Sequence, residues 1–269
     1  MEQLRLKTTV TLITGASGGI GEAIAYKFAS INHSLLLVAR NEEKLKALCS
    51  ELMSSYKIEA QYIVADLSKT EAPQAVFDEC QRRNIQVDVL INNAGIGSSG
   101  EFSQNNLSAE LEIIQLNDMS LVALTHLFLQ DMIKNKEGFI INVASMIAFI
   151  PSPYMAVYAG SKHFVKAFTY SIAEECKPYG VNVMLFSPGL TSSNFMKTKA
   201  NNNDFGKATS KSSSTQTPDQ VAEELVSAFS KNKSAHVSGF KNRISAMLSP
   251  LFSPRLIARM LAKQKRKRQ

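Results

Sequence analysis

The sequence predicts an α/β fold: a doubly wound parallel sheet of about seven strands with helices on both faces, in a single domain. Three observations predict it. Short β-branched or leucine-rich runs recur along the 269 residues, and several lack polar alternation, as strands do when helices cover both sheet faces. Longer stretches with apolar residues three and four apart separate them. A glycine-rich turn follows the first run and opens into the first helical stretch. Alternation this regular implies right-handed βαβ crossovers.

Val10–Thr14 is the first expected strand, and Ile20–Ser30 the first helix. Between them stands Thr14-Gly15-Ala16-Ser17-Gly18-Gly19-Ile20-Gly21. Such a turn lets the backbone approach a pyrophosphate, whose charge meets N–H groups at the helix N-terminus. The spacing of Gly15, Gly19 and Gly21 is wider than the dinucleotide fingerprint GxGxxG, and glycines also serve simply to supply positive φ, so the turn needs corroboration.

Ser34–Ala39, the second strand, supplies some. It runs into Arg40 and Asn41, where an acid would hold the ribose hydroxyls of NAD and an arginine would accommodate the 2′-phosphate of NADP. Arg40 offers a guanidinium suited to phosphate, so NADP(H) is favoured over NAD(H).

Helix Glu42–Ser55, strand Glu59–Ala65, helix Ala72–Arg83 and strand Val87–Ile91 come next, the last followed by Asn92-Asn93-Ala94-Gly95. A long helix over Leu107–Ile133 carries Asn117, and strand Gly138–Val143 leads to Ser145. Helix Ser152–Lys177 carries Tyr158-Ala159-Gly160-Ser161-Lys162. Strand Val181–Phe186, helix Asp219–Ser230 and strand Ala235–Ser238 complete the series. Tyr158 and Lys162 stand four apart on one helical face, so the ammonium can approach the phenol. A tyrosine whose ordinary pKa is near ~10 needs such help to exchange protons at neutral pH.

Taken in order, TGxxxGxG, NNAG, Asn117, Ser145 and YxxxK resemble the short-chain dehydrogenase/reductase family, over about residues 7–240. The resemblance implies a Rossmann-like catalytic domain (residues 1–240) and an NADP-dependent oxidoreductase. Tyr158 is then the acid/base that protonates the carbonyl oxygen, and Lys162 lowers the phenol pKa and holds the nicotinamide ribose. Ser145 stabilises charge on the substrate oxygen, and Asn117 holds a water in a proton relay. Gly15, Ser17, Gly19, Ile20, Gly21 and Arg40 bind cofactor phosphates and ribose. Asp66 and Leu67 contact adenine, while Asn93, Ala94 and Gly95 form the wall behind the adenosine ribose. Pro188 and Gly189 close on the nicotinamide. Near its carboxamide the family's usual threonine is matched by Ser193, with Thr191 close by. Homodimers or homotetramers are expected.

The loop Met146–Met155 between Ser145 and Tyr158 is strongly apolar, which points to an apolar or acyl-chain-like ketone or aldehyde, although core packing also uses such residues. A cofactor-binding regulatory or scaffold protein without turnover is the competing class. Residues 200–217 form an Asn/Ser/Thr/Lys-rich stretch, read as a surface loop placed where a substrate lid would be.

Thirty Lys+Arg against 23 Asp+Glu give a formal charge of +7. Arg255, Arg259, Lys263, Lys265, Arg266, Lys267 and Arg268 account for the whole excess, leaving residues 1–253 formally neutral. From 241 to 269 an apolar stripe flanked by these bases forms a C-terminal extension. Packing on the body or a second subunit comes first as its role, peripheral membrane contact second, and nucleic acid a distant third. Cys49, Cys80 and Cys176 have no metal or redox spacing, so no metal is expected and a reducing cytoplasm fits.

Overall fold

The structure, a computed structural model, describes residues 9–192 and 215–266. Seven parallel strands form a single sheet in the order β3-β2-β1-β4-β5-β6-β7. They are β1 (Val10–Thr14), β2 (Ser34–Ala39), β3 (Ala60–Val64), β4 (Val89–Asn92), β5 (Gly138–Val143), β6 (Val181–Ser187) and β7 (Ala235–Val237). Strand order reverses between β1 and β4, and in open α/β sheets the crevice outside the strand C-termini at that point is where ligands bind.

Alternation along the strands divides the core into two layers. Ile13, Leu35 and Leu37 face one side, packed with Phe28 of α1 (Gly19–Ala29), Leu45 of α2 (Glu42–Tyr56) and Leu225 of α7 (Pro218–Ser230). Leu12, Leu36 and Val38, the residues between, face the other. There they meet Val76 of α3 (Ala72–Arg82), Phe128 of α5 (Ser120–Asn135) and Cys176 of α6 (Ala156–Cys176). All six residues of β2 are buried, which explains why its sequence shows no polar alternation.

Helix starts follow local chemistry. Asn41 caps α2 by accepting from Lys44 N at 2.9 Å, and Thr217 and Gln220 form a reciprocal capping box at α7. Two elements differ from expectation. The helix expected over Leu107–Ile133 is α4 (Leu107–Ile114) and α5 joined through a π-helical turn, Gln115–Met119. The helix expected from Ser152 begins at Ala156, because Pro153 and the positive φ of Tyr154 (65°) hold the preceding loop out of helical geometry.

Beyond β7 come α8 (Phe240–Leu248) and α9 (Pro254–Arg266). All three cysteines are buried. Among the described residues no helix is long and apolar enough to cross a membrane, and no group of three His, Cys, Asp or Glu side chains could hold a metal ion.

Candidate active site

The C-terminal ends of β1, β4, β5 and β6 converge on one crevice. Thr14, the last residue of β1, ties the first two together: its hydroxyl donates to Ile91 O at 3.2 Å and accepts from the backbone N–H groups of Asn93 and Ala94, each at 2.9 Å. Asn93 returns the contact through Nδ2, which donates to Thr14 O at 2.9 Å. The NNAG segment is therefore fastened against the glycine turn.

That turn has the geometry of a cradle. Gly15 (φ 67°) and Gly19 (φ 60°) occupy left-handed conformations, and Gly15 N donates to Val38 O at 2.8 Å. A Cβ at Gly15 would stand 2.9 Å from Ala94 Cα; one at Gly21 would run into the Gly15 carbonyl and stand 2.6 Å from Asn93 Nδ2. Gly19, Ile20 and Gly21 open α1, Ser17 sits in the turn just before it, and no side chain caps the helix at Gly18, as suits a helix start that receives an anion. A pyrophosphate fits this backbone without a side chain in its way.

Arg40 is exposed at the end of β2, while its neighbour Asn41 is committed to capping α2. Asp66 lies within electrostatic reach of Arg40. Burial pushes the Asp66 carboxyl up, but hydrogen bonds from Ser68 Oγ (2.8 Å) and Ser68 N (3.1 Å), with the charges of Arg40 and Lys69, bring it below its ordinary value. Leu67 beside it is buried in the core layer of α3.

Asn117 sits within the π turn, a register break common at functional sites. Its Oδ1 accepts from Ile96 N at 2.9 Å, and its Nδ2 donates to Ile96 O at 2.9 Å and to Ser161 Oγ at 3.0 Å. Gly95 leaves the space here: a Cβ on it would be 3.1 Å from Asn117 Oδ1 and 3.5 Å from Lys162 Nζ. Asn117, Gly95 and Lys162 thus form one cluster.

Ser145 follows β5 and opens a short 3-10 turn, Met146–Phe149, its hydroxyl accepting from Ile147 N at 3.3 Å. That hydroxyl also hydrogen-bonds the Tyr158 phenol. Lys162 donates from Nζ to Val143 O at 3.0 Å. One expectation is corrected here. The Tyr158 phenol stands above its ordinary pKa, at about 12, because burial outweighs the Ser145 hydrogen bond. Burial likewise lowers Lys162 to about 8, against the opposing charge of Asp118.

Asp118 is a residue the sequence reading passed over. It is buried beside Asn117, its Oδ1 has no hydrogen-bond partner among the described residues, and burial pushes its carboxyl up to about 7 despite the Lys162 charge. An acid and an amide adjacent in a helix otherwise rich in apolar residues was the available signal. Also missed was a buried polar chain behind the site: Asn92 Nδ2 donates to Thr125 Oγ1 (3.0 Å) and Asn142 Oδ1 (2.9 Å), and Asn142 Nδ2 donates to Thr169 Oγ1 (3.1 Å).

Pro188 and Gly189 border the crevice after β6, where Met146 N donates to Pro188 O at 2.7 Å. Thr191 turns inward on its own segment, Oγ1 donating to Gly189 O at 3.1 Å. Gln216 pairs back onto it through Gln216 N to Leu190 O and Ser192 N to Gln216 O, both 3.0 Å. Ser193 and residues 200–214 of the expected lid lie outside the described residues.

The chain matches the short chain dehydrogenase family over residues 9–204. It is 31% identical over 230 residues to dehydrogenase/reductase SDR family member 7B of Xenopus tropicalis, covering 83% of this chain and 74% of that protein. A 3-oxoacyl-acyl-carrier-protein reductase of Aquifex aeolicus is 30% identical over 187 residues, 70% of this chain and 75% of its own length. A short-chain dehydrogenase from Sphingobium yanoikuyae, solved in complex with NADPH, superposes with a TM-score of 0.80 at 27% identity, over 89% of this chain and 92% of that one.

Proposed function

The chain belongs to the short-chain dehydrogenase/reductase family of oxidoreductases, and from that premise we propose that it is an NADP(H)-dependent reductase of an apolar or acyl-chain-like ketone or aldehyde. The observation that carries the reading is the cluster of Ser145, Tyr158 and Lys162 at the C-terminal ends of β5 and in α6, with Asn117 held against Gly95 beside it.

NADPH, when bound, supplies the hydride. The glycine turn and the α1 N-terminus receive its pyrophosphate, and Arg40 its 2′-phosphate. Asp66, Leu67 and the Asn93–Gly95 segment border the adenosine half; Pro188, Gly189 and Thr191 border the nicotinamide half, with Ser193 after them.

Ser145 donates a hydrogen bond to the substrate carbonyl oxygen and stabilises the negative charge that grows there. Tyr158 gives its phenolic proton to the same oxygen. A phenol held near 12 by burial stays protonated at neutral pH, the form a proton donor needs. Lys162, four residues on along α6, stabilises the phenolate left behind and passes the replacement proton, with Asn117 holding the relay's water. Half-buried Met146, Ile147, Ile150 and Met155 line the approach and favour apolar substrates.

Sequence relatives that include a 3-oxoacyl reductase support the acyl-chain direction. The competing reading is a cofactor-binding scaffold without turnover, on the same fold. A carbonyl panel followed by NADPH absorbance, with Tyr158→Phe alongside, separates the two. Turnover that Tyr158→Phe abolishes supports the reductase; NADPH binding without turnover on any carbonyl supports the scaffold.

A further inference from the structure

Residues 1–253 are formally neutral and the charge excess lies in residues 254–269, while α8 and α9 leave much of their apolar surface uncovered. In α8 and the turn after it, Phe240, Met247, Leu251 and Phe252 are exposed, Met247 at 73% and Leu251 at 75%. In α9, Leu256 and Met260 are exposed, one turn apart on the same face. Ile257, Leu261 and Lys265 fall on a different side of that helix and are half-buried. α9 therefore has an inner face turned to the protein and an apolar outer face turned to solvent.

Cations border the outer face. Arg255, Arg259 and Lys263 recur every fourth residue, each adjacent in sequence to an exposed or half-buried apolar residue, and Lys241 is exposed on α8. No acid occurs anywhere after Glu224. Exposed apolar side chains framed by cations, in a segment with no acid of its own, suit a surface with negative charge outside and hydrocarbon beneath.

Both helices also sit at the rim of the candidate active site. Lys265 Nζ donates to Pro153 O at 2.7 Å and stands 5.8 Å from the ring centroid of Tyr154, in the loop between Ser145 and Tyr158. On α8, Asn242 fills the space a Cβ on Gly189 would need.

We propose that α8 and α9 form a docking surface for an anionic lipid membrane, placed beside the mouth of the active-site crevice. The chain lies on the bilayer surface: among the described residues no helix is suited to cross it. A second copy of the chain is the poorer occupant. A two-fold contact sets a face against itself, and here it would bring the same cations together with no acid of the segment between them. Nucleic acid would take up the cations and leave the apolar residues in water.

The test is vesicle co-sedimentation of the full chain, with phosphatidylcholine vesicles in one arm and equal parts phosphatidylcholine and phosphatidylglycerol in the other. The expected result is sedimentation with the anionic vesicles alone, weakened at least tenfold by high salt and by the double variant Arg255→Glu/Arg259→Glu. Leu256→Ser/Met260→Ser, which leaves the inner face of α9 intact, should weaken it comparably while far-ultraviolet circular dichroism stays unchanged. The proposal is overturned if the protein stays in the supernatant in both arms, or if both double variants sediment like the parent. It is overturned equally if light scattering shows a dimer that Leu256→Ser/Met260→Ser dissociates, since a second copy then covers this face. The readout needs no turnover, so its failure is separate from any failure of the reductase reading.

Discussion

Asn117 and Ile96 hold each other by two hydrogen bonds of 2.9 Å, the amide side chain closing on the N–H and the carbonyl of one backbone residue. The π turn makes this reach possible by turning Asn117 inward between α4 and α5, and the same amide continues to Ser161 on α6. One side chain thus fastens the segment after β4 to α6. Asn117→Ala removes both bonds to the half-buried Ile96 backbone, at about 0.5–1.5 kcal/mol for each hydrogen bond lost. Thermal melts should show a lower Tm, and kcat should fall beyond what the folded fraction explains; an unchanged Tm contradicts the clasp.

Asp118 and Lys162 give the protein a pH signature. The Asp118 carboxyl, raised to about 7 by burial, holds a proton in the folded state that the unfolded chain has released from about pH 4 upward. The folded state therefore binds more protons across that window, and this group makes stability fall as pH rises from 4 to 7. Asp118→Asn removes the effect. Denaturant melts should show the variant gaining on the parent from pH 4 to 7, on the order of 1.4 kcal/mol per pKa unit of displacement, and no further above it. Lys162, lowered to about 8, acts in the opposite sense: stability recovers as pH rises from about 8 towards 10. A pH-independent difference between variant and parent contradicts the buried carboxyl.

Arg40 is exposed and its neighbour Asn41 is occupied as a helix cap, so the guanidinium is the group at the end of β2 that can meet a phosphate. Arg40→Ala should raise KM for NADPH by ~10- to 100-fold, the worth of a hydrogen bond to a charged group, and leave KM for NADH nearly unchanged. Equal use of NADH by the parent enzyme would remove the 2′-phosphate role.

Two glycines of one turn should behave oppositely. Gly21→Ala drives a methyl into the Gly15 carbonyl and Asn93, whereas Gly18 has only Glu22 Oε2, at 3.9 Å, near its Cβ position and an extended φ of 167°. Overpacking of this kind costs about 1–3 kcal/mol. Fluorescence titration should show NADPH affinity reduced more than tenfold in Gly21→Ala and little altered in Gly18→Ala. Equal affinities would mean that the turn does not form the cradle.

The sheet was legible because several of its strands lack polar alternation and its helices keep a 3.6-residue period; β2, buried along its whole length, is the plainest case. The π turn was not, since one extra residue per turn does not disturb an apolar pattern between Leu107 and Ile133 enough to be read. Tyr158, Lys162, Ser145 and Asn117 could be named through the family resemblance that their motifs carry, and they cluster. The state of the Tyr158 phenol could not, because it is set by burial, which outweighs the hydrogen bond from Ser145 and shows only once the chain has folded. Asn142 and Thr169 escaped for a related reason: a polar residue in an apolar strand declares its partner only when the other elements pack.

Tyr158→Phe probes the proposed proton donor of carbonyl reduction with the smallest change. The ring remains to fill the site and only the hydroxyl is removed. Against a carbonyl that the parent reduces, NADPH oxidation should fall by ~10²- to 10⁴-fold, the range for a positioned acid, while NADPH affinity and Tm stay close to the parent's. Full retention of NADPH oxidation by Tyr158→Phe would rule Tyr158 out as the proton donor.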